Sequence, residues 1–583
     1  MLSILIALIA FIAFLPALQN DFSHWDDNLY LQDNTAILDV SWYSVQKIFS
    51  SFYIGNYQPL TVLTFLAEYR FFKFNPFFYH LDNIILHMIV VLLVFWLFWI
   101  LSKRVSIAAI VSLLFAIHPL RVESVVWVCG RKDMLYSIFF LGALIAYIKW
   151  RARQPAPRLY WLSVLLFLCA ILCKAMSMTL PAVLLLVDFF MARKFDKRAV
   201  LDKIPYLILA AVFSCVAVVG AYAGGAVRPA SLNTSLFEKA ATLSYCLVFY
   251  LNKLFLPLNL SCLYPLPGNA DYAVSMAGIL LLGLGAALSS RLSRKIVFGS
   301  LFFFITALPI LQFVPIGRTL FADRYTYLPC LGVFYLAAEG LVWLWGNKIK
   351  ASRIKSALFL GAGLAIVVTL SVMTWQRSKV WKDDITLWGD AIKKYPTLAV
   401  AYNNRGAEYL LRKNYREALA DFASAVAIDP DNYKAYLNLG LMTLRTGNYP
   451  KAIRLISIAL RQEPYDTDIY DNLVTIYFNL KQLKTALGLA LEEVRLWPDY
   501  ARGHVNLCGV YGEMGESDKA LAACRTAMAI DPNYALTYWT TSLVYDQKKE
   551  HNLAAQYREK ALSLGYKPAG SSEEKNDPDG KTF

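Results

Sequence analysis

Apolar residues run in long blocks through the first two thirds of the chain, then give way near Val372 to a polar, Ala-rich sequence of helical period. A helix of about 20 apolar residues crosses a bilayer. Eleven segments are read as spans: 2–18, 80–101, 105–119, 134–150, 159–174, 177–191, 203–223, 273–290, 296–315, 326–346 and 356–374. With the N-terminus cytoplasmic, the inner loops are "SKRVS", "KWRARQPAPR", "MARKFDKR", "SSRLSRK" and "GNKIKASRIK", all basic, as cytoplasmic loops are. Counting 236–256 as a further span would put two of these loops outside. That segment is therefore read as an interfacial or re-entrant helix in an outer loop from about Gly224 to Tyr272.

The polar part has a fixed period. Pro396, Pro430, Pro464, Pro498 and Pro532 are each 34 residues apart, and Ala418, Ala452, Ala486, Ala520 and Ala554 keep the same interval. Small residues where two helices cross, with Pro closing the second, resemble the tetratricopeptide repeat. Five repeats fit, 399–432, 433–466, 467–500, 501–534 and 535–568, and "WKDDITLWGDAIKKYP" upstream reads as half a repeat. The expected fold is all-α. It comprises a polytopic membrane domain over 1–376, a connecting helix over 377–398, a solenoid over 399–568 and a disordered tail over 569–583. Cys508 and Cys524 face each other across the fourth repeat. A disulfide and a pair of small hydrophobes both account for them.

Composition narrows the function. The chain has 583 residues, 57% of them hydrophobic, and a formal charge of +15 whose Lys and Arg cluster between apolar blocks, so the charge marks topology rather than nucleic-acid binding. Nine cysteines show no CxxC or Cys/His metal spacing. The first segment lacks a basic leader and a small-x-small cleavage site, so it is read as a retained span.

Charge that membrane folding does not require gathers on the outer side. "HWDDNLY" places Asp26 and Asp27 just beyond the first span, beside His24, Trp25 and Tyr30. Such a pair deprotonates a hydroxyl, binds a cation or caps a helix. In "HPLRVESVVWVCGRKD", His118 ends a span, and Arg121, Glu123, Arg131, Lys132 and Asp133 follow, a structural network or a site for a charged headgroup; Arg131 and Asp133 are a candidate ion pair, and Glu123 is the better candidate for chemistry. "GRTLFADRYTYLP" adds Arg318, Arg324 and Tyr327 at another outer end, where a guanidinium suits a lipid phosphate or anchors the interface.

"YQPLTVLTFLAEY", "HLDNIILH", "HPLRVESVVWVCGRKDMLYSIFFLGAL", "CKAMSMTLPAVLLLVDFF" and "FADRYTYLPCLG", in this order and followed by repeats, resemble the transmembrane and tetratricopeptide-repeat O-mannosyltransferases of the GT-C class. The resemblance implies a GT-C-like membrane domain and a polyprenyl-phosphate sugar as donor substrate. It makes Asp26 and Asp27 the catalytic signature, with Asp27 slightly preferred, and matches Glu123 to the acidic residue of the second outer loop. Arg324 then meets the carrier phosphate, with Lys174, Arg131 and Arg318 as further phosphate contacts, while His24, Trp25, Tyr30, His118 and Tyr327 line the vestibule. The chain departs from the family at Gln58, where Arg is expected, at Ala175, where an acid is expected, and in its short array; these bear on sugar and acceptor more than on reaction type.

The expected reaction is inverting transfer of one sugar, mannose in the family, to a Ser or Thr hydroxyl of an acceptor protein held by the repeats. Paired carboxylates also suit Mg or Mn, but no divalent metal or other cofactor is expected for a monophosphate-linked donor. The expected partners are membrane lipids, the carrier and the acceptor protein, with no nucleic acid. Two alternatives stand: transfer to a lipid or envelope glycan, and a non-enzymatic membrane-anchored repeat scaffold. The expected location is a bacterial inner membrane with periplasmic repeats, or the endoplasmic reticulum membrane in a eukaryote.

Overall fold

The computed structural model describes residues 1–152, 156–194, 196–224, 235–288, 293–311 and 320–568. Arg318, the start of the 224–272 loop and the 569–583 tail lie outside the described residues. The protein divides into two compact units, Met1–Pro396 and Thr397–Phe583. Among the described residues the regular structure is helical, apart from one isolated bridge between Tyr53 and Asn56.

In the first unit, five helical segments are long and apolar enough to cross a membrane: Leu2–Gln19, Pro76–Ser102, Val128–Ala152, Lys197–Ala223 and Arg353–Val380. Val105–Ile117 and Pro119–Val126, bent by 58°, form a sixth if taken as one span. Other expected spans coincide with shorter helices, among them Pro157–Cys173, Leu180–Phe190, Arg294–Ala307 and Cys330–Leu344. Segment 236–256 is the helix Leu236–Phe255, opened by a Ser235/Glu238 capping box, and it is not among the helices that meet the crossing criterion. The multi-pass, all-α character follows from these helices.

Local chemistry sets the helix ends. Asn75 accepts a hydrogen bond from the Phe77 amide, and Pro76 fills the first position of Pro76–Ser102, where its missing N–H removes nothing. The 58° bend has an equally local cause. Pro119 cannot donate to the preceding turn, and His118 before it is extended, so Val105–Ile117 stops there. The chain restarts as Val122–Val126, which carries Glu123. A second tight point follows at Gly130, where a Cβ would meet the Ser124 carbonyl oxygen at 2.3 Å. Only glycine lets the next helix, Arg131–Ala152, begin so close to that segment.

The second unit is a stack of helix pairs, beginning with Ala399–Leu411 and Tyr415–Ile428 and ending with Ala535–Gln547 and His551–Ser563. At one crossing the two helices share a fixed space. Gly406 faces Phe422, and an added Cβ would meet the ring at 2.8 Å; Gly440 faces Ile456, with 2.5 Å to its Cγ1. In the third repeat the corresponding positions are Val474 and Ala490, both buried, so bulk has moved to the first helix. In the fourth, Cys508 and Cys524 fill the space as a disulfide with Cα atoms 5.4 Å apart.

That bond closes a short loop, its cysteines 16 residues apart. Its loss should release about 3 kcal/mol of loop entropy to the unfolded chain. Unfolding of the repeat unit, followed by circular dichroism with and without reductant, should move to lower denaturant by that amount, and Cys508→Ala/Cys524→Ala should abolish the reductant effect.

Candidate functional site

The segment after the first span is held by an acid far along the chain. Asp383 caps the helix Asp384–Lys394 by accepting from the Thr386 amide, which leaves Asp384 available for other partners. Asp384 Oδ1 accepts from the Ser23 hydroxyl at 2.7 Å, and Oδ2 accepts from the His24 amide at 2.7 Å and lies 3.1 Å from His24 Nδ1. Trp25 then stacks on Trp127 with ring centres 5.5 Å apart, and packs on Trp388 at 5.2 Å.

The two adjacent acids have different surroundings. Asp26 occupies the N-cap position of Asp27–Tyr30 but makes no side-chain capping bond there, and it is the more exposed of the two. Asp27 is buried, with Oδ2 accepting from the Ser23 amide at 3.0 Å and Oδ1 from the Cys129 amide at 2.9 Å. Burial pushes its carboxyl up to about 6, against the opposing effect of those hydrogen bonds. Asp27 therefore joins the segment that follows the first span to the one around Cys129.

The segments that carry Glu123 and Arg324 are joined by charge. Glu123 is buried, accepts from the Arg324 backbone amide at 3.0 Å and pairs with the Arg324 guanidinium. Beside it Asp323 accepts from the Tyr264 hydroxyl at 2.6 Å, and burial, with Glu123 as a like-charged neighbour, raises its carboxyl above the usual range. The Arg324 guanidinium lies over Trp127 at 5.2 Å, Tyr325 at 5.0 Å and Trp25 at 5.9 Å. Lys174 pairs with Asp133, whose other oxygen accepts from the Ser124 hydroxyl at 3.2 Å. Lys132 and Arg324 are its like-charged neighbours.

The structure thus gathers Asp26, Asp27, Glu123, Arg324, Lys174 and Trp25, and assigns other expected site residues to packing. Arg131 is fully buried and pairs with Glu68 in a two-point contact, while donating to Asn83 at 2.9 Å and to the Tyr79 carbonyl at 3.1 Å. It does not pair with Asp133. His118 is committed at both ring nitrogens, to the Leu254 carbonyl and the Leu120 amide, and the Tyr327 hydroxyl lies 2.8 Å from His87 Nδ1. Tyr30 is buried, donates to the Tyr53 carbonyl at 3.3 Å and accepts from Gln58.

Three residues outside the expected site set enter the arrangement. Asp384 is the first. Lys132 is the second, its ammonium lying 5.2 Å from the Tyr30 ring centre and 5.3 Å from that of Trp127, with no ion pair among the described residues. Arg121 is the third, fully buried against Phe115 and Tyr327, with only Nη2 partnered, by the Thr326 hydroxyl. Lys132 and Arg121 stand out in sequence as charges in an apolar region, but only the three-dimensional arrangement separates an uncommitted cation from a paired one.

Fold and arrangement define an all-α, multi-pass membrane protein with a tetratricopeptide-repeat solenoid. The family model for the tetratricopeptide repeat matches residues 399–432. The chain is similar to protein O-mannosyl-transferase TMTC3 of Homo sapiens, 27% identical over 423 residues, covering 65% of this chain and 45% of that protein. It is also similar to protein O-mannosyl-transferase Tmtc3 of Drosophila melanogaster, 25% identical, covering 71% of this chain and 53% of that protein. These are members of the family that the order of motifs resembles. The chain spans about half the length of the curated relatives it matches. Among solved structures, YrrB, titled a tetratricopeptide-repeat protein with an unusual peptide-binding site, is 22% identical, with 30% of this chain and 92% of that one covered and a TM-score of 0.26.

Replacing Asp384 removes a buried acceptor from a hydroxyl and an amide, which should cost about 1–3 kcal/mol. Asp384→Ala should speed hydrogen exchange of the amides from Ser23 to Tyr30, measured by mass spectrometry, while the repeat helices exchange as before. Unchanged exchange at Ser23 to Tyr30 would show that the clamp is dispensable.

Proposed function

We propose that this protein moves mannose from a polyprenyl-phosphate donor to a Ser or Thr hydroxyl of an acceptor protein. The observation that carries the reading is the convergence of three outer segments on one cluster, tied by Asp27 to Cys129 and by Glu123 to Arg324. The names of the relatives support a protein glycosyltransferase.

Asp26 is the base. It is the more exposed of the pair, whereas both oxygens of Asp27 already accept backbone amides, so Asp27 acts by fixing the loop. The acceptor hydroxyl oxygen attacks the anomeric carbon and gives its proton to Asp26, while the bond from that carbon to the phosphate oxygen breaks with inversion. Polyprenyl phosphate leaves with the bonding electrons. Arg324 stabilises the added charge, since Glu123 takes only part of its five-donor guanidinium, and Lys174 and Lys132 add positive potential. Arg131 is unsuited to this role because its donors serve Glu68, Asn83 and Tyr79. No divalent metal enters the scheme. The repeats hold the acceptor polypeptide, and the disulfide in the fourth repeat supports their placement in an oxidising compartment such as the periplasm.

Two tests follow. Purified protein given mannosyl polyprenyl phosphate and acceptor peptide, with products read by mass spectrometry, should lose at least about a hundredfold in rate on Asp26→Asn. EDTA should leave the rate unchanged; wild-type turnover by Asp26→Asn would remove Asp26 as base, and failure with every sugar donor would favour the scaffold reading. The second test uses pH. Ionised Asp27 accepts both amides, so the rate should rise as pH passes through about 6, and this limb should vanish in Asp27→Asn. Stability should run the other way, because a carboxyl raised from 3.8 to about 6 favours the folded state most when protonated and loses that contribution as pH rises between these values.

A further inference from the structure

A cavity of about 780 Å³ lies at the other end of the helix that begins beside the outer cluster. That helix runs from Arg131 to Ala152, and Trp150 and Arg151 near its end line the cavity, so at 1.5 Å per residue the two places are about 30 Å apart. Two of the cavity's lining residues, Arg193 and Asp202, belong to an electrically balanced network. Buried Asp188 accepts from Arg193 at 3.0 Å and from Tyr147, and pairs with Lys203, while the second Arg193 terminus reaches Asp202 at 2.7 Å. Asp196, on the wall, accepts from the Ala199 amide at 2.8 Å and so caps its own helix.

The remaining cations are not tied in such a network, although Asp196 lies within electrostatic reach of Arg198. Arg151, Lys194 and Arg198 form no ion pair among the described residues, although Arg151 lies over the Trp150 ring at 5.4 Å. Against these three cations the lining sets one further acid, Asp196, and the surplus of positive charge beside a balanced, hydrogen-bonded network makes a preformed site for an anion. The surroundings indicate where that anion resides. Trp150 packs on Tyr160 at 4.9 Å, and the Tyr160 hydroxyl donates to the Asp202 carbonyl, joining the helices that flank the cavity. Those helices present Trp161, Leu165, Leu207 and Ile208 outward, with exposures of 60%, 56%, 49% and 57%. An anion held here lies against an apolar surface with an aromatic at its edge, the setting of a lipid headgroup at a membrane interface.

We propose that this cavity binds the phosphate of an anionic lipid headgroup, with Arg151, Lys194 and Arg198 as its contacts. The site is separate from the one proposed for transfer and requires no donor sugar. The test is native mass spectrometry of the full chain released from nanodiscs containing phosphatidylglycerol and phosphatidylcholine in equal amounts. Wild type should retain phosphatidylglycerol preferentially, and R151Q/K194Q/R198Q should reduce that preference about tenfold. R198Q alone should reduce it about threefold, and serves as the reading if the triple variant melts early. Glycerol 3-phosphate added to the protein in neutral detergent distinguishes the source. Binding of this soluble ester, lost in the variant, would assign the same phosphate chemistry to a free ligand, whereas no binding assigns it to the lipid. Equal retention of both lipids by wild type, or an undiminished preference in the variants, would overturn the proposal.

Discussion

The hydrogen bond from the Cys129 amide to the Asp27 carboxylate joins segments 102 residues apart, and the cluster of Asp27, Glu123 and Arg324 depends on it. The stretch from Asn20 to Leu38 has little regular structure of its own, only the four-residue helix Asp27–Tyr30 and short turns, before the helices Trp42–Ser50 and Pro59–Phe72. Left to itself it would have no defined position. A buried carboxylate with two amide donors has few other places to go, because withdrawing either donor leaves a charge in an apolar interior. Through Cys129 the constraint passes to the tight turn at Gly130, and through Ser23 to Asp384.

Around that tie the protein places charges in pairs. Glu68 with Arg131, Asp133 with Lys174 and Glu123 with Arg324 are all largely withdrawn from water. Buried pairs of this kind contribute little net stability but fix geometry, since breaking one leaves its partner uncompensated. Arg131 and Arg324 show two outcomes of the same chemistry. One is saturated and structural; the other has guanidinium face left over against Trp25, Trp127 and Tyr325.

Much of the architecture was legible in sequence because it is periodic. The 34-residue interval marks the repeats without any knowledge of contacts, and the family match over 399–432 has the bounds read from the spacing. Apolar blocks identified the helices, and among the described residues five segments are long and apolar enough to cross; block length alone says nothing about where a helix bends or stops. The acids and the arginine of the outer segments stood out by residue type. Their partners did not. Ser23 and Asp384 are 361 residues apart, Arg131 and Glu68 are 63 apart, and no local pattern records such a pairing. The distinction between Asp26 and Asp27 is of the same kind, because two identical neighbours differ only in what folds against them.

The exchange of bulk between paired positions of the solenoid bears on how such arrays vary. Gly406 with Phe422, Gly440 with Ile456, Val474 with Ala490 and Cys508 with Cys524 are four solutions to one volume. Moving a single helix from one repeat into another would set two large residues, or two small ones, face to face. Moving both helices together carries the solution along. The helical hairpin is therefore the smallest piece that can be duplicated, deleted or shuffled without repair, and an array of this type should lengthen or shorten across a lineage in whole hairpins.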